Sequence, residues 1–109
     1  ETAVEAHDAW ADEMDLAEGL FRFEQAVTTP VTRVETSWAG LRSFAPDRTP
    51  VCGFDTEREG FFWFAGQGGY GIQTAPALAR LTVQLCLDEK PDLSSATVAA
   101  LDPKRFAGA

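Results

Sequence analysis

The sequence of 109 residues predicts an α+β fold, assembled from an amphipathic helix, a bent strand, a β-hairpin, a glycine loop and a C-terminal helix. Apolar residues recur at helical spacing in two separate stretches, and β-branched and aromatic residues concentrate between them. A glycine-rich run stands between the last predicted strand and the second helix. The chain is 45% hydrophobic and 11% aromatic, which is typical of a protein that buries a core, and its length allows one domain or a part of one.

The first helix is predicted over residues 12–27. Its apolar stripe begins at Leu16 and Leu20 and continues to Val27, at the spacing of one helix face. Asp12 is the predicted N-cap, and the acidic first turn suits the positive end of the helix dipole. Two threonines and a proline then end the helix.

The β-rich part of the sequence begins with residues 31–44, which are predicted to form an extended strand that bends at Gly40. A proline-containing turn, residues 45–50, separates it from a short strand over residues 51–54. A polar segment then closes a hairpin with the strand over residues 61–65. Both faces of that last strand are apolar, which is typical of a strand in the middle of a layered domain, although this chain has little material to cover it.

The second helix is predicted over residues 72–87, and it starts close before Pro76 because proline is tolerated without a kink only in the first turn. Its predicted inner face comprises Ile72, Ala75, Leu78, Ala79, Thr82, Leu85 and Cys86. A short third helix within residues 92–101 is capped by either Asp92 or Ser94, and a closing turn follows it.

The composition excludes several functional classes. The net charge of −8, from 17 acidic and nine basic side chains, argues against a nucleic-acid partner, and the acidity before residue 25 indicates a solvated face. Cys52 and Cys86 lack metal-ligand spacing and are expected to be buried free thiols, while His7 alone cannot supply a zinc site, so no metal is predicted. No apolar run is long enough for a transmembrane segment and no signal peptide is recognisable, so a soluble cytoplasmic protein is expected.

The glycine loop, residues 66–71, contains the spacing G-x-G-x-x-G in Gly66, Gly68 and Gly71, directly after a strand and before a helix. A dinucleotide-binding turn would need a second parallel strand that ends in an acidic residue about 20 positions later. Asp88 and Glu89 lie near that distance, but no predicted strand carries them. The structural alternative is a tight turn, in which glycines permit positive φ angles and close packing.

A longer pattern resembles a known family. It consists of W-A-G-L-R-S-F at residues 38–44, P-D-R-T-P-V-C-G at residues 46–53 and G-F-F-W-F-A-G-Q-G-G-Y-G-I at residues 60–72. This order and spacing resemble the C-terminal third of FAD-dependent oxidoreductases of the D-amino-acid oxidase superfamily, which includes glycine and sarcosine oxidases. Within that superfamily, the pattern is most similar to D-amino-acid and D-arginine dehydrogenases.

The resemblance implies a fragment of a flavoprotein that has an α/β FAD-binding domain and an antiparallel-sheet substrate domain. Residues 1–44 would be the end of the substrate-domain region, and residues 45–109 the C-terminal part of the FAD-binding domain. The nucleotide-binding glycine motif of the family, which holds the ADP half of FAD, has no counterpart in this chain. The N-terminal remainder of the same protein is therefore the expected partner, and the isolated fragment is expected to be inactive.

The resemblance also implies roles for individual residues. Arg42 would pair with the substrate carboxylate, and a carbonyl at Gly69 would accept from the substrate amine. Tyr70 and Gln73 are candidates to line the pocket; the alternative for Tyr70 is packing against the sheet with its hydroxyl satisfied. The expected FAD contacts are Gly66, Gly68, Gly69, Tyr70, Gly71, Ile72 and Gln73. Backbone N–H groups of the last four would stabilise negative charge on the reduced flavin. No catalytic residue is expected within this chain, and the complete protein would oxidise the C–N bond of a small amine or D-amino acid to an imine by hydride transfer to FAD.

Two further expectations do not depend on that resemblance. Trp38 and Trp63 are assigned to core packing, because each lies in an apolar strand pattern. The alternative to a flavoenzyme is a non-enzymatic domain that binds a partner protein, or a second copy of itself, through the apolar strand and helix.

Overall fold

The computed structural model describes residues 2–107, which form two compact units, one ending at Leu41 and the other starting at Arg42. The elements in chain order are helix α1 (Glu13–Ala26), strands β1 (Val51–Phe54) and β2 (Phe62–Ala65), helices α2 (Gly71–Cys86) and α3 (Ser95–Leu101), and a 3-10 helix (Pro103–Phe106). The predicted α+β class is confirmed. Among the described residues, no helix is both long and apolar enough to cross a membrane.

Helix α1 is the regular element of residues 2–41. The Asp12 carboxylate caps it as predicted, accepting from the backbone N–H groups of Met14 at 2.9 Å and Asp15 at 3.2 Å. Near the end of the helix, the Glu24 carboxylate accepts from the Val31 N–H at 3.0 Å, which fixes the turn that follows α1. No residue of α1 is fully buried: Leu16 and Leu20 of its apolar stripe are half-buried, and Phe23 and Val27 are exposed.

The predicted bent strand over residues 31–44 is wrong for the described chain. Only Phe44 pairs, in a single antiparallel bridge with Gln67. β-Branched residues favour extended backbone, but a strand also needs a neighbouring strand to pair with its N–H and C=O groups. Residues 2–41 do not supply one. Trp38, expected in a core, is therefore 81% exposed.

The predicted hairpin is confirmed. Strands β1 and β2 pair antiparallel, with Cys52 opposite Phe64. The Asp55 carboxylate holds the connecting turn, accepting from the Glu57 and Arg58 N–H groups at 2.8 and 2.7 Å and from the Trp63 indole N–H at 2.7 Å. These bonds lower the pKa of Asp55, the indole contact most of all. Strand β2 is not buried on both faces as predicted, because helix α2 covers the hairpin through β1 and leaves Trp63 and Phe64 40% and 44% exposed.

The core lies where α2 and α3 meet the hairpin. It consists of Cys52, Leu78, Leu81 and Leu101, with Phe62, Leu85, Leu93 and Val98 packed around it. The predicted inner face of α2 is right at Leu78, which is buried, and at the half-buried Thr82 and Leu85. It is wrong at Ile72, Ala75, Ala79 and Cys86, which are exposed, and it omitted the buried Leu81 and Gln84. Strand β1 has four residues, so it covers only the middle of a 16-residue helix. Of the two thiols expected to be buried, only Cys52 is, and burial raises its pKa.

The last part of the chain closes the core. Ser94, rather than Asp92, caps α3, since its hydroxyl accepts from the Thr97 N–H at 3.2 Å. Asp92 instead pairs with Arg80 on α2. The closing turn is the 3-10 helix, whose Pro103 packs so tightly on β1 that a Cβ added at Gly53 would lie 2.7 Å from the proline ring.

Candidate functional site

Strand β2 leads directly into the glycine loop, which ends at the N-terminus of α2. Gly66 and Gly68 have φ angles of +70° and +52°, in the left-handed region that favours glycine. The loop closes when the Tyr70 N–H donates to the Gln67 carbonyl at 2.9 Å. The structural interpretation of the glycine spacing is therefore confirmed at these two positions, and no parallel strand follows α2 among residues 2–107, as a dinucleotide-binding turn would require.

A segment that we call the arginine segment, residues 42–45, lies against the glycine loop. The Gly68 N–H donates to the Ser43 carbonyl at 3.0 Å, next to the bridge between Phe44 and Gln67. A Cβ added at Gly68 would overlap the Phe44 ring. Glycine is thus required there by the chain's own aromatic side chain.

Arg42 and Gly69, both predicted to bind substrate, are brought together by this docking. A Cβ added at Gly69 would lie 2.8 Å from Nη1 of Arg42, so the guanidinium group rests directly on the glycine backbone. Both residues are exposed, as is Tyr70 beside them. A cation and an open stretch of backbone therefore share one surface of the second unit.

The N-terminus of α2 borders this surface. The first backbone N–H groups of an α-helix have no carbonyl partner within the helix, and the side chain of the N-cap residue, Tyr70, makes no capping hydrogen bond to those of α2. The predicted set of four amide donors needs a correction, because the Tyr70 N–H is already bonded to Gln67. Gly71, Ile72 and Gln73 supply the remaining three.

A flavin ring fits this surface in part. Residues 69, 70, 72 and 73 are exposed, and the uncapped amides of α2 suit an electron-rich partner. In contrast, the sides of Gly66 and Gly68 on which a Cβ would stand face Ala45 and Phe44. The predicted contacts of these two glycines with FAD stay predictions.

Sequence reasoning missed the residues that seat Arg42. The Phe44 ring contacts Gly68, and the guanidinium carbon of Arg48 lies 5.4 Å from the ring centroid. An aromatic residue two positions after Arg42 was visible in the sequence. Its docking on a glycine 24 positions later was not, because no local pattern pairs the two.

Two comparisons with known proteins bear on this site. A family model described as FAD dependent oxidoreductase, DAO, matches residues 2–85. The chain is also 35% identical over 96 residues to the tRNA 5-methylaminomethyl-2-thiouridine biosynthesis bifunctional protein MnmC of Maricaulis maris (strain MCS10). That alignment covers 85% of this chain but 16% of the relative, so the chain spans about a sixth of the length of the curated protein it matches.

Proposed function

The chain belongs to the DAO family of FAD-dependent oxidoreductases, as the sequence predicts, and from that premise we propose that the complete protein oxidises the C–N bond of a small amine or D-amino acid to an imine. The observation that supports this substrate class is the Arg42 guanidinium group resting on Gly69. An amino acid presents a carboxylate and an amine on one carbon. Arg42 offers a cation for the carboxylate, and Gly69 offers a backbone carbonyl for the amine.

Arg42 is the proposed carboxylate ligand. A guanidinium group can donate two parallel hydrogen bonds to a carboxylate, which fixes both the position and the orientation of the substrate. The Gly69 carbonyl would accept from the substrate amine, and the exposed Tyr70 ring would form a wall of the same pocket.

Residues 69–73 would hold the flavin ring of FAD, and Gly66 and Gly68 would line the loop behind it. FAD, when bound, supplies the hydride acceptor for this family of reactions. The amides of Gly71, Ile72 and Gln73 stand at the positive end of α2, where they would favour negative charge on the cofactor. The residues of this chain thus orient substrate and tune the cofactor.

The rest of the flavoprotein is the proposed partner of this chain. It would carry the ADP-binding element and cover the exposed side of β2, where Trp63 and Phe64 stand. We assign residues 1–44 to its substrate-domain region and residues 45–109 to its FAD-binding domain. A cytoplasmic location is supported by the two free thiols, Cys52 and Cys86.

A second candidate substrate comes from the name of the Maricaulis relative, which places that protein in the biosynthesis of a methylaminomethyl group on tRNA. Such a group also contains C–N bonds. We rank it second for this protein, because the net charge of −8 gives the chain little attraction for phosphates.

Steady-state kinetics of the full-length, FAD-loaded protein would test the proposal with three substrates: a D-amino acid, the amine that lacks its carboxylate, and tRNA. Arg42→Ala should lower kcat/KM for the amino acid about 100-fold, since truncating one partner of a hydrogen-bonded charge pair costs about 2–5 kcal/mol. The amine without a carboxylate should be affected much less.

Arg22→Ala is the matched control for that experiment, because it removes an exposed arginine whose ion pair with Glu18 lies on α1. It should leave both rates unchanged. Equal losses for the two small substrates in Arg42→Ala would contradict the carboxylate role. Turnover of tRNA alone would overturn the substrate class.

A further inference from the structure

We propose that Arg105 is a positioning residue for Arg42, acting by holding the proline-containing turn that continues from the arginine segment. The inference deepens the proposed function and rests on the carboxylate-binding role given there to Arg42. Arg105 itself lies in the closing 3-10 helix, which follows β1 in the sequence, whereas the turn precedes β1.

Arg105 holds the turn through its Nε and Nη2 donors. Its Nε and Nη2 donate to the two carboxylate oxygens of Asp47 at 2.7 and 3.3 Å, a forked arrangement that fixes direction as well as distance. Nη2 also donates to the carbonyls of Thr49 at 2.8 Å and Pro50 at 3.2 Å. The side chain is only 14% exposed, whereas Arg80, in an ion pair on the same unit, is 72% exposed.

The Nη1 side of the Arg105 guanidinium group is bonded to backbone at the core. Nη1 of Arg105 donates to the carbonyls of Leu101 at 2.9 Å and Asp102 at 3.2 Å, and Leu101 is a core residue. The Phe106 ring lies 4.2 Å below the guanidinium carbon. The guanidinium group is therefore a rigid support, and the turn is the part that it holds.

The turn passes this support on to Arg42 through Phe44. Asp47 organises the turn by accepting from the Thr49 N–H at 3.0 Å, and the Arg48 N–H donates to the Ala45 carbonyl at 2.9 Å. The Arg48 guanidinium carbon lies 5.4 Å from the centroid of the Phe44 ring, and a Cβ added at Gly68 would overlap the same ring. The arginine segment is thus docked on the glycine loop and continues directly into the turn that Arg105 holds.

Loss of Arg105 would remove the bonds that hold the turn, while the bridge at Phe44 and the bond to the Ser43 carbonyl remain. With the turn released, the backbone that carries Arg42 would be less firmly fixed relative to Gly69. A displacement of about 1 Å can cost about 100-fold in rate when a side chain orients a substrate. The hydrogen bond from Arg105 also lowers the pKa of Asp47, so the carboxylate stays ionised near neutral pH.

The test uses the full-length, FAD-loaded protein and a double-mutant cycle between Arg42→Ala and Arg105→Gln. We expect Arg105→Gln to raise KM for the D-amino acid about tenfold, with a change of less than about twofold for the amine without a carboxylate. In the Arg42→Ala background, Arg105→Gln should have no further effect on KM. Arg105→Lys should recover part of the loss, because it keeps the charge opposite Asp47 but not the fork.

Arg80→Gln is the matched control, since it makes the same substitution in an exposed ion pair that does not contact the turn. FAD content and thermal unfolding are measured for every variant. If Arg105→Gln does not fold, Asp47→Asn takes its place in the cycle, because it weakens the fork and leaves the bonds of Arg105 to four carbonyls.

Equal effects of Arg105→Gln on both substrates, or effects that add to those of Arg42→Ala, would overturn the inference while leaving the proposed function intact. If Arg42→Ala itself shows no preference for the carboxylate substrate, the proposed function fails and the inference fails with it. A coupled, carboxylate-selective effect that Arg80→Gln lacks supports the inference.

Discussion

Each glycine of the loop has its own physical role, which the spacing does not reveal. Gly68 combines a positive φ angle with contact to the Phe44 ring, Gly66 combines one with contact to Ala45, and Gly69 accommodates Arg42. A ligand is not needed to explain any of these three. What Gly66 and Gly68 provide for function is indirect, because they let the arginine segment approach the start of α2.

Gly68→Ala should therefore destabilise the protein by about 1–3 kcal/mol, since an added Cβ overpacks against Phe44 and the left-handed backbone disfavours it. Urea unfolding of the 109-residue chain measures this difference. Gly19→Ala on α1 is the control, because a Cβ there meets nothing within 4 Å. It should stabilise the helix by about 1 kcal/mol. A Gly68→Ala variant as stable as the parent would refute the docking of Phe44.

Asp55 gives the hairpin a predictable pH dependence. Its folded-state pKa is depressed, chiefly by the Trp63 indole hydrogen bond, whereas the pKa of an unfolded aspartate is about 3.9. The stabilisation is therefore present above the unfolded pKa and is lost as pH falls through the folded pKa. The difference in unfolding free energy between the parent and Asp55→Asn should be constant above about pH 5 and shrink below about pH 4.

Urea titrations followed by tryptophan fluorescence across that range measure the effect. Glu57→Gln serves as the control, because the Glu57 side chain takes no part in the turn's hydrogen bonds described above and only its backbone donates to Asp55. A difference that stays constant down to pH 2 would show that the carboxylate charge of Asp55 is not what the indole recognises.

At the scale of elements, the sequence predicted what local patterns determine. Helix α1 and helix α2 begin within one residue of their predicted starts, and the hairpin has its predicted partners. Capping, helical spacing and turn composition act over a few residues, so they are visible without the fold. The bent strand failed because pairing depends on a distant edge, and the inner face of α2 was misassigned because the length of β1 limits how much of the helix is covered.

The candidate site divides in the same way. Arg42, Gly69 and the start of α2 were named from a family pattern, and the structure brings them to one surface. Phe44, Asp47 and Arg105 were not named. Their contacts join residues as far as 58 positions apart in the sequence. No local sequence pattern around Arg105 indicates that it binds Asp47.

At the scale of the whole molecule, the 109-residue chain should not bind FAD. Its proposed flavin contacts are the backbone amides at the start of α2, and its sequence has no motif that matches the family's binding element for the ADP half of FAD. Gel filtration after incubation with FAD should return a colourless protein, with the full-length flavoprotein as the yellow control. A stoichiometric yellow complex of the short chain would contradict the proposal that the ADP half of FAD is bound by another part of the protein.

The exposed aromatic side chains of β2 bear on the alternative of a partner-binding domain. Trp63 and Phe64 are exposed in this chain, and the occupant that we propose for their surface is the remainder of the same protein. Sedimentation distinguishes the cases: a monomeric full-length protein favours internal cover, whereas a dimer of the short chain shows that the surface also recognises itself.

The grip of Arg105 on Asp47 also sets an order of events during synthesis. Asp47 leaves the ribosome 58 residues before Arg105, which corresponds to roughly 3–12 seconds of translation. During that interval the hairpin and α2 can form, but the turn beside Arg42 has no guanidinium group to hold it. Arg42 is therefore expected to reach its final place only as the last helix of the described chain packs on β1.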